Sequence, residues 1–173
     1  MKLFTDLRKQ LIEFDYPQIY CDMDGVVADF LKFTKDHLGH AFKDNSWAEL
    51  PLDTYAQLPL MPDARILWNY ISKFDPIMLT AIPKPTRGPI SLQAGKDKTD
   101  WMKRHFNLSP KDMRVVYRQD KKKFAKDGRD GRPNLLIDDD AGNIKEFKNA
   151  GGLGIVHTSA ESTIRELKRL GYP

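Results

Sequence analysis

Three short apolar runs in this chain each stop at residues that a sheet interior would not hold. Gln18–Cys21 runs into Asp22-Met23-Asp24-Gly25, Ile77-Met78-Leu79 ends on Thr80, and Leu135-Leu136-Ile137 opens onto Asp138-Asp139-Asp140. Such runs read as strands buried on both faces. Helical patterns alternate with them, which implies an α/β fold of three layers, a parallel sheet with helices on both sides. In open sheets of this kind ligands bind beyond the carboxyl ends of the strands. The three endings then converge on one site and bring at least four carboxylates into a small volume.

The remaining pattern fits that frame. Leu3, Phe4, Leu7, Leu11, Ile12 and Phe14 recur at helical spacing, so residues 2–14 read as an amphipathic helix. Val26–Leu38 is expected to be helical. Residues 39–62 change character, with Phe42, Trp47 and Tyr55 among Pro51, Pro59 and Pro62, and read as an insertion lying over something. Asp63 suits the cap of a helix running to Phe74. Residues 83–95 read as a loop, Lys98–Phe106 as a helix, and Arg114–Tyr117 as a strand. A short helix from Lys121, a turn-rich loop 127–133, a helix Ile144–Ala150 and a strand Gly154–His157 follow. Thr158 with Glu161 forms a capping box for a last helix to Leu170. The expected division is a core of 1–38 and 63–173, with its N-terminal helix within 1–16, and a small cap at 39–62.

Composition narrows the class. With 173 residues, 40% apolar and 30% charged, the chain suits one globular domain with a small insertion. Cys21 is the only cysteine, which excludes an internal disulfide. The charged N-terminal stretch lacks the apolar run of a signal peptide, and no stretch is long and apolar enough to span a membrane. The expected compartment is the cytoplasm. Net charge is +4, with cations concentrated between Arg114 and Arg132. That excess suits anionic substrates, nucleic acid, or simply a solvated basic face.

Clustered carboxylates repel one another unless a cation offsets them. Oxygen ligands beside a phosphate make Mg²⁺ the expected cofactor. His37, His40, His105 and His157 are scattered and offer no zinc spacing. An EF-hand is excluded as well. Its loop needs glycine at position six and glutamate at twelve, where this chain has Gly25 at four and Phe33 at twelve. A carboxylate can attack phosphorus itself. Two aspartates at i and i+2 can flank one phosphorus if the chain turns sharply between them and the next residue, and Gly25 permits that turn.

The run Ile19-Tyr-Cys-Asp22-Met-Asp24-Gly25-Val-Val resembles the first motif of the haloacid dehalogenase superfamily of phosphohydrolases. Leu79-Thr80 is similar to its second motif, and Leu135-Leu-Ile-Asp138-Asp139-Asp140-Ala-Gly-Asn143-Ile to its fourth. The third motif is a lysine ahead of the fourth, for which Lys121, Lys122 and Lys123 all qualify; Lys121 follows Arg-x-Asp, as in the group described next. Within the superfamily the chain most resembles the 5′-nucleotidase, deoxy (pyrimidine), cytosolic type C-like group, through Asp-Met-Asp-Gly-Val-Val-Ala-Asp-Phe and Leu60-Met-Pro-Asp-Ala64.

The resemblance implies that Asp22 attacks phosphorus and binds Mg²⁺. Asp24 then serves as acid and base and lends its backbone carbonyl to the metal. Thr80 and Lys121 hold the phosphoryl group, and Asp138 and Asp139 complete the metal shell. Phe42 and Trp47, with Tyr55, either stack on a nucleobase or form the insertion's own small core. The chain departs from the group where Ala81-Ile82-Pro83 follows Thr80, in place of a second hydroxyl residue, and in its short insertion. The expected activity is hydrolysis of phosphate monoesters, foremost 5′-(deoxy)nucleoside monophosphates. The alternatives are nucleic-acid ends, another small phosphometabolite, or a binding module without catalysis.

Overall fold

The computed structural model describes residues 16–128 and 130–173; the helix expected over 2–14 lies outside them. Five strands form one parallel sheet: β1 Ile19–Cys21, β2 Ile77–Ala81, β3 Met113–Val116, β4 Leu135–Asp138 and β5 Leu153–Val156. Their order is β3-β2-β1-β4-β5. β1 is therefore central, with β2 and β4 as its neighbours. That order brings the ends of β1, β2 and β4 side by side, which is the convergence the apolar runs imply. The α/β class read from the sequence is the one found.

Alternation along the strands divides the core in two. Ile19, Cys21, Met78, Leu135 and Ile137 point to one face, against α3 (Ala64–Ile71), α4 (Ile90–Phe106) and α6 (Ala160–Arg169). Tyr20, Leu79 and Leu136 point to the other, against α5 (Ala141–Asn149) through Ile144 and Phe147. Both faces are covered, which is why these strands carry unbroken apolar runs.

Several local expectations give way to tertiary contacts. The helix foreseen from Val26 begins only at α1, Phe30–Leu38, where Asp29 accepts from the Lys32 amide as its cap. Before it, the amides of Val26, Val27 and Ala28 all point at the Met23 carbonyl. Those three side chains are fully buried, so the segment is a packed turn and not a one-sided helix. The loop expected over 83–95 ends early, because α4 starts at Ile90. Ile90 and Ala94 are buried, and that burial outweighs the helix cost of Gly95.

Residues 39–62 contain a 3₁₀ turn, Ser46–Glu49, and one short helix, α2 (Thr54–Gln57). Leu50, Tyr55 and Leu58 join the main core. Trp101 Nε1 donates to the Leu58 carbonyl at 2.8 Å and Arg104 to the Ala56 carbonyl at 2.6 Å, fastening this segment to α4. Its exit is pinned by Asp29 donating to Pro59 and Met61 to Val27.

The capping of the last helix also differs. Ser159, not Thr158, is the N-cap of α6 and accepts from Ser162. Asp63 stands at the N-cap position of α3, but its side chain makes no cap bond there and reaches across to accept from the Ala160 amide at 2.6 Å. Asp63→Ala is expected to cost about 1 kcal/mol in urea unfolding, the typical worth of a helix cap, and Thr158→Ala less than about 0.5 kcal/mol. Equal costs would contradict this assignment.

Candidate active site

The site is built where the central strands end. Past β1, the Asp22 amide still bonds to the Ile137 carbonyl at 2.9 Å, so Asp22 leaves the sheet held at the edge of β4. Its own Oδ1 accepts from the Met23 amide at 2.8 Å. The chain then turns through Gly25 at φ +73°, a conformation that a side chain resists. A Cβ at Gly25 would lie 2.1 Å from an Asp139 carboxylate oxygen. Glycine is thus required twice, by the turn and by the approach of the third carboxylate.

The three aspartates at the end of β4 go separate ways. Asp138 is fully buried and accepts from Asn143 Nδ2, from the Asp140 amide and from Lys121 Nζ at 2.7 Å. Asp139 turns toward Gly25. Asp140 caps α5 by accepting from the Asn143 amide and lies 3.8 Å from Arg118. Oxygens of Asp22, Asp138 and Asp139 lie within 4.8 Å of one another.

Two buried lysines offset this charge. Lys121, in the 3₁₀ stretch Arg118–Phe124, lies 2.9 Å from Asp22 and 2.7 Å from Asp138. Burial disfavours its charge, but the two carboxylates prevail and move its pKa up. Lys122 and Lys123 are exposed, and Lys123 pairs with Asp120. The second is Lys98 on α4, which no motif marks. It is fully buried, bonds to Asp24, donates to Thr80 Oγ1 at 3.0 Å, and donates to the Ala81 carbonyl at 2.6 Å. One signal for it was present in the sequence: Lys98 shares the inward stripe of its helix with Trp101 and Met102, where a cation has no business unless it is partnered.

Burial, then the Asp22 charge, moves the Asp138 carboxyl up. The same two causes push Asp139 up to about 6, an effect that solvent screens in part because Asp139 is exposed on one side. Asp24 is also raised, by burial first; Lys98 opposes that and Asp22 adds to it. The carboxylate oxygens of Asp22, Asp138 and Asp139 form a set of three hard donors that suits Mg²⁺. The carboxylate of Asp24 is turned to Lys98 instead, which leaves its backbone carbonyl as the ligand the resemblance implies.

Phe42, Trp47 and Tyr55 form a ring cluster around Phe30. Phe42 lies 5.1 Å from Phe30 and 5.0 Å from Trp47, and Tyr55 stacks on Phe30 at 5.8 Å. Phe42 and Trp47 are half-buried there. Much of the basic segment is internally paired: Arg118 with Glu146 and Asp140, Lys123 with Asp120, Arg132 with Asp130.

With this geometry in place, comparison with solved structures is informative. A hydrolase from Streptococcus pneumoniae TIGR4 superposes with a TM-score of 0.50 at 12% identity, covering 90% of this chain and all of that one. The likeness is one of fold. A hydrolase from Pseudomonas syringae (TM-score 0.40, 16% identity, 90% of each chain) and a proposed β-phosphoglucomutase from Thermotoga maritima (0.46, 13%, 89% and 99%) are more distant in shape. No protein-family model and no curated protein matches the sequence. Among the described residues, no helix is long and apolar enough to cross a membrane.

The raised acids predict a pH signature. Asp139 binds its proton in the folded state up to about pH 6 but only to about 3.9 when unfolded, so between these values the folded form holds more protons. Stability of the metal-free protein should therefore fall as pH rises through that window. Millimolar Mg²⁺ should raise the melting temperature at pH 7 and much less at pH 5. A melting temperature indifferent to Mg²⁺ at pH 7 would contradict the clustered site.

Proposed function

We propose that this protein hydrolyses phosphate monoesters with Asp22 as the nucleophile. The observation that carries the reading is the placement of Asp22 beside Lys121, Asp138 and Asp139, with Thr80, Lys98 and Asp24 grouped at the neighbouring strand end. A binding module would need the metal set but not a paired acid and a second lysine. The α/β fold shared with a hydrolase agrees with the reading.

The steps follow from the residues present. An Asp22 oxygen attacks phosphorus as the ester P–O bond breaks, giving an aspartyl phosphate. The departing oxygen takes a proton from Asp24. Acting as an acid near neutrality requires a carboxyl raised from its usual value of about 3.9, and Asp24 is raised by its burial. In the second half Asp24 accepts a proton from water as that oxygen attacks phosphorus, which frees the Asp22 carboxylate and inorganic phosphate. Thr80 donates to a phosphoryl oxygen, and Lys98 and Lys121 balance its charge. Asp22, Asp138 and Asp139, with the Asp24 carbonyl, would hold Mg²⁺, which when bound neutralises charge between the carboxylate and the phosphate.

For the substrate we infer a 5′-(deoxy)nucleoside monophosphate. Support comes from the resemblance in the aspartate motif and from Phe42 and Trp47, which are only half-buried and so can still meet a base. The internal pairing of the basic segment leaves less of it to track a nucleic-acid backbone, which favours a small substrate.

The test is phosphate release from nucleotides, sugar phosphates, an aryl phosphate and a phosphorylated oligonucleotide, with Mg²⁺ and with chelator. Magnesium-dependent release led by nucleoside monophosphates is expected, and Asp22→Asn should lower kcat by roughly a thousandfold or more. Sugar phosphates turned over faster than every nucleotide would overturn the substrate. Substantial activity in Asp22→Asn would overturn the mechanism.

A further inference from the structure

One side chain of the insertion reaches the catalytic centre. Tyr55, on α2, is 3% exposed, and its ring centre lies 4.4 Å from Lys98 Nζ. An ammonium group has three protons to donate. Lys98 has three acceptors for them: Asp24, the Thr80 hydroxyl and the Ala81 carbonyl. The Tyr55 ring is a fourth neighbour of the same nitrogen. A ring face attracts a cation without needing a proton from it, so it holds Lys98 without competing with those three acceptors.

The ring itself is fixed from two directions. Its plane is 21° from that of Phe30, on the element that follows the aspartate turn. Its helix is tied to α4 by Trp101 and Arg104, which follow Lys98 on that same helix. One helix therefore carries the lysine and docks the segment that covers it. The hydroxyl is raised well above its ordinary pKa by burial, then by the charges of Asp24 and Asp22, which agrees with its place beside the carboxylates.

We propose that Tyr55 is a positioning residue: its ring seats the Lys98 ammonium against Asp24 and Thr80 and keeps water from it. The insertion then supplies part of the reacting centre and not only a wall above it. The kinetic consequence rests on the phosphatase reading, whereas the seat is a claim about geometry alone. A dry, fixed ammonium stabilises developing phosphoryl charge more strongly than a hydrated, mobile one.

The experiment uses the Mg²⁺-loaded full chain and its best substrate, with Tyr55→Leu, Tyr55→Met and Tyr55→Phe, alongside ¹H–¹⁵N spectra of the lysine ammonium groups. Lys98 is assigned by the signal lost in Lys98→Arg. Tyr55→Leu should lower kcat about tenfold, the rate equivalent of one buried cation–ring contact, and change KM by less than about twofold. Tyr55→Phe should restore kcat, because it keeps the ring. The Lys98 signal should be shifted upfield by the ring in wild type and in Tyr55→Phe, and return to the ordinary lysine position in Tyr55→Leu.

A wild-type Lys98 signal without that shift overturns the seat. So does a Tyr55→Phe variant as slow as Tyr55→Leu, which would assign the role to the hydroxyl. If Tyr55→Leu does not fold, Tyr55→Met and the wild-type and Tyr55→Phe spectra carry the same comparison. Absence of turnover in wild type would sink the phosphatase reading, and the spectra would still decide the seat.

Discussion

Burying a carboxylate costs several kcal/mol unless a cation and hydrogen bonds meet it, and this chain buries Asp22 and Asp138 at the ends of two adjacent strands. Lys121 lies between them and makes that arrangement tenable. The constraint spreads outward. Lys121 must be delivered from beyond β3 by the stretch Arg118–Phe124, and Phe124 packs on Tyr20 to hold that stretch on the sheet. Asn143 must face Asp138 from the first turn of α5, which Asp140 caps. Gly25 must stay bare for Asp139 to approach.

A second compensated pair stands beside the first. Asp24 and Lys98 are separated by 74 positions in sequence and meet because β1 and β2 are neighbours and α4 packs over their ends. The two halves differ in what they offer. Around Lys121 are oxygen donors suited to a divalent cation. Around Lys98 are an acid of raised pKa, a hydroxyl and an aromatic ring. A phosphate ester bridging the two would meet a nucleophile from one and a proton from the other.

Most of the sheet was legible in the sequence, because strands buried on both faces have no choice but to be apolar until they reach the ligand edge. Asp22, Asp24, Thr80 and Asp138 were legible for the same reason, as polar residues at the point where each run stops. Lys121, Lys122 and Lys123 were equal candidates by position, with Lys121 preferred for its place after Arg-x-Asp, and it is the one buried beside Asp22 and Asp138. What escaped depends on contacts between distant segments. Lys98 carried one local signal, its place on the inward stripe with Trp101 and Met102, but nothing in the sequence says that its partner is Asp24. Asp63 looked like a cap for its own helix and instead caps the last one. Residues 26–28 looked like the start of a helix, since Val27, Phe30, Leu31 and Leu38 fit helical spacing, but tertiary packing buries every residue from Val26 to Ala28. Phe42, Trp47 and Tyr55 read alike as insertion aromatics, and only their packing separates the two that cluster with Phe30 from the one that also reaches Lys98.

The central claim is that Asp22 itself becomes phosphorylated. Rapid quenching of a single turnover, followed by borohydride reduction and peptide mass spectrometry, tests it directly, because an aspartyl phosphate is reduced to homoserine where a free aspartate is not. The account predicts homoserine at position 22, dependent on substrate, and enriched in Asp24→Asn with an aryl phosphate, whose leaving group needs no proton while hydrolysis of the intermediate stalls. Phosphate release from the same samples with unmodified Asp22 throughout would contradict it and would point to direct attack by water.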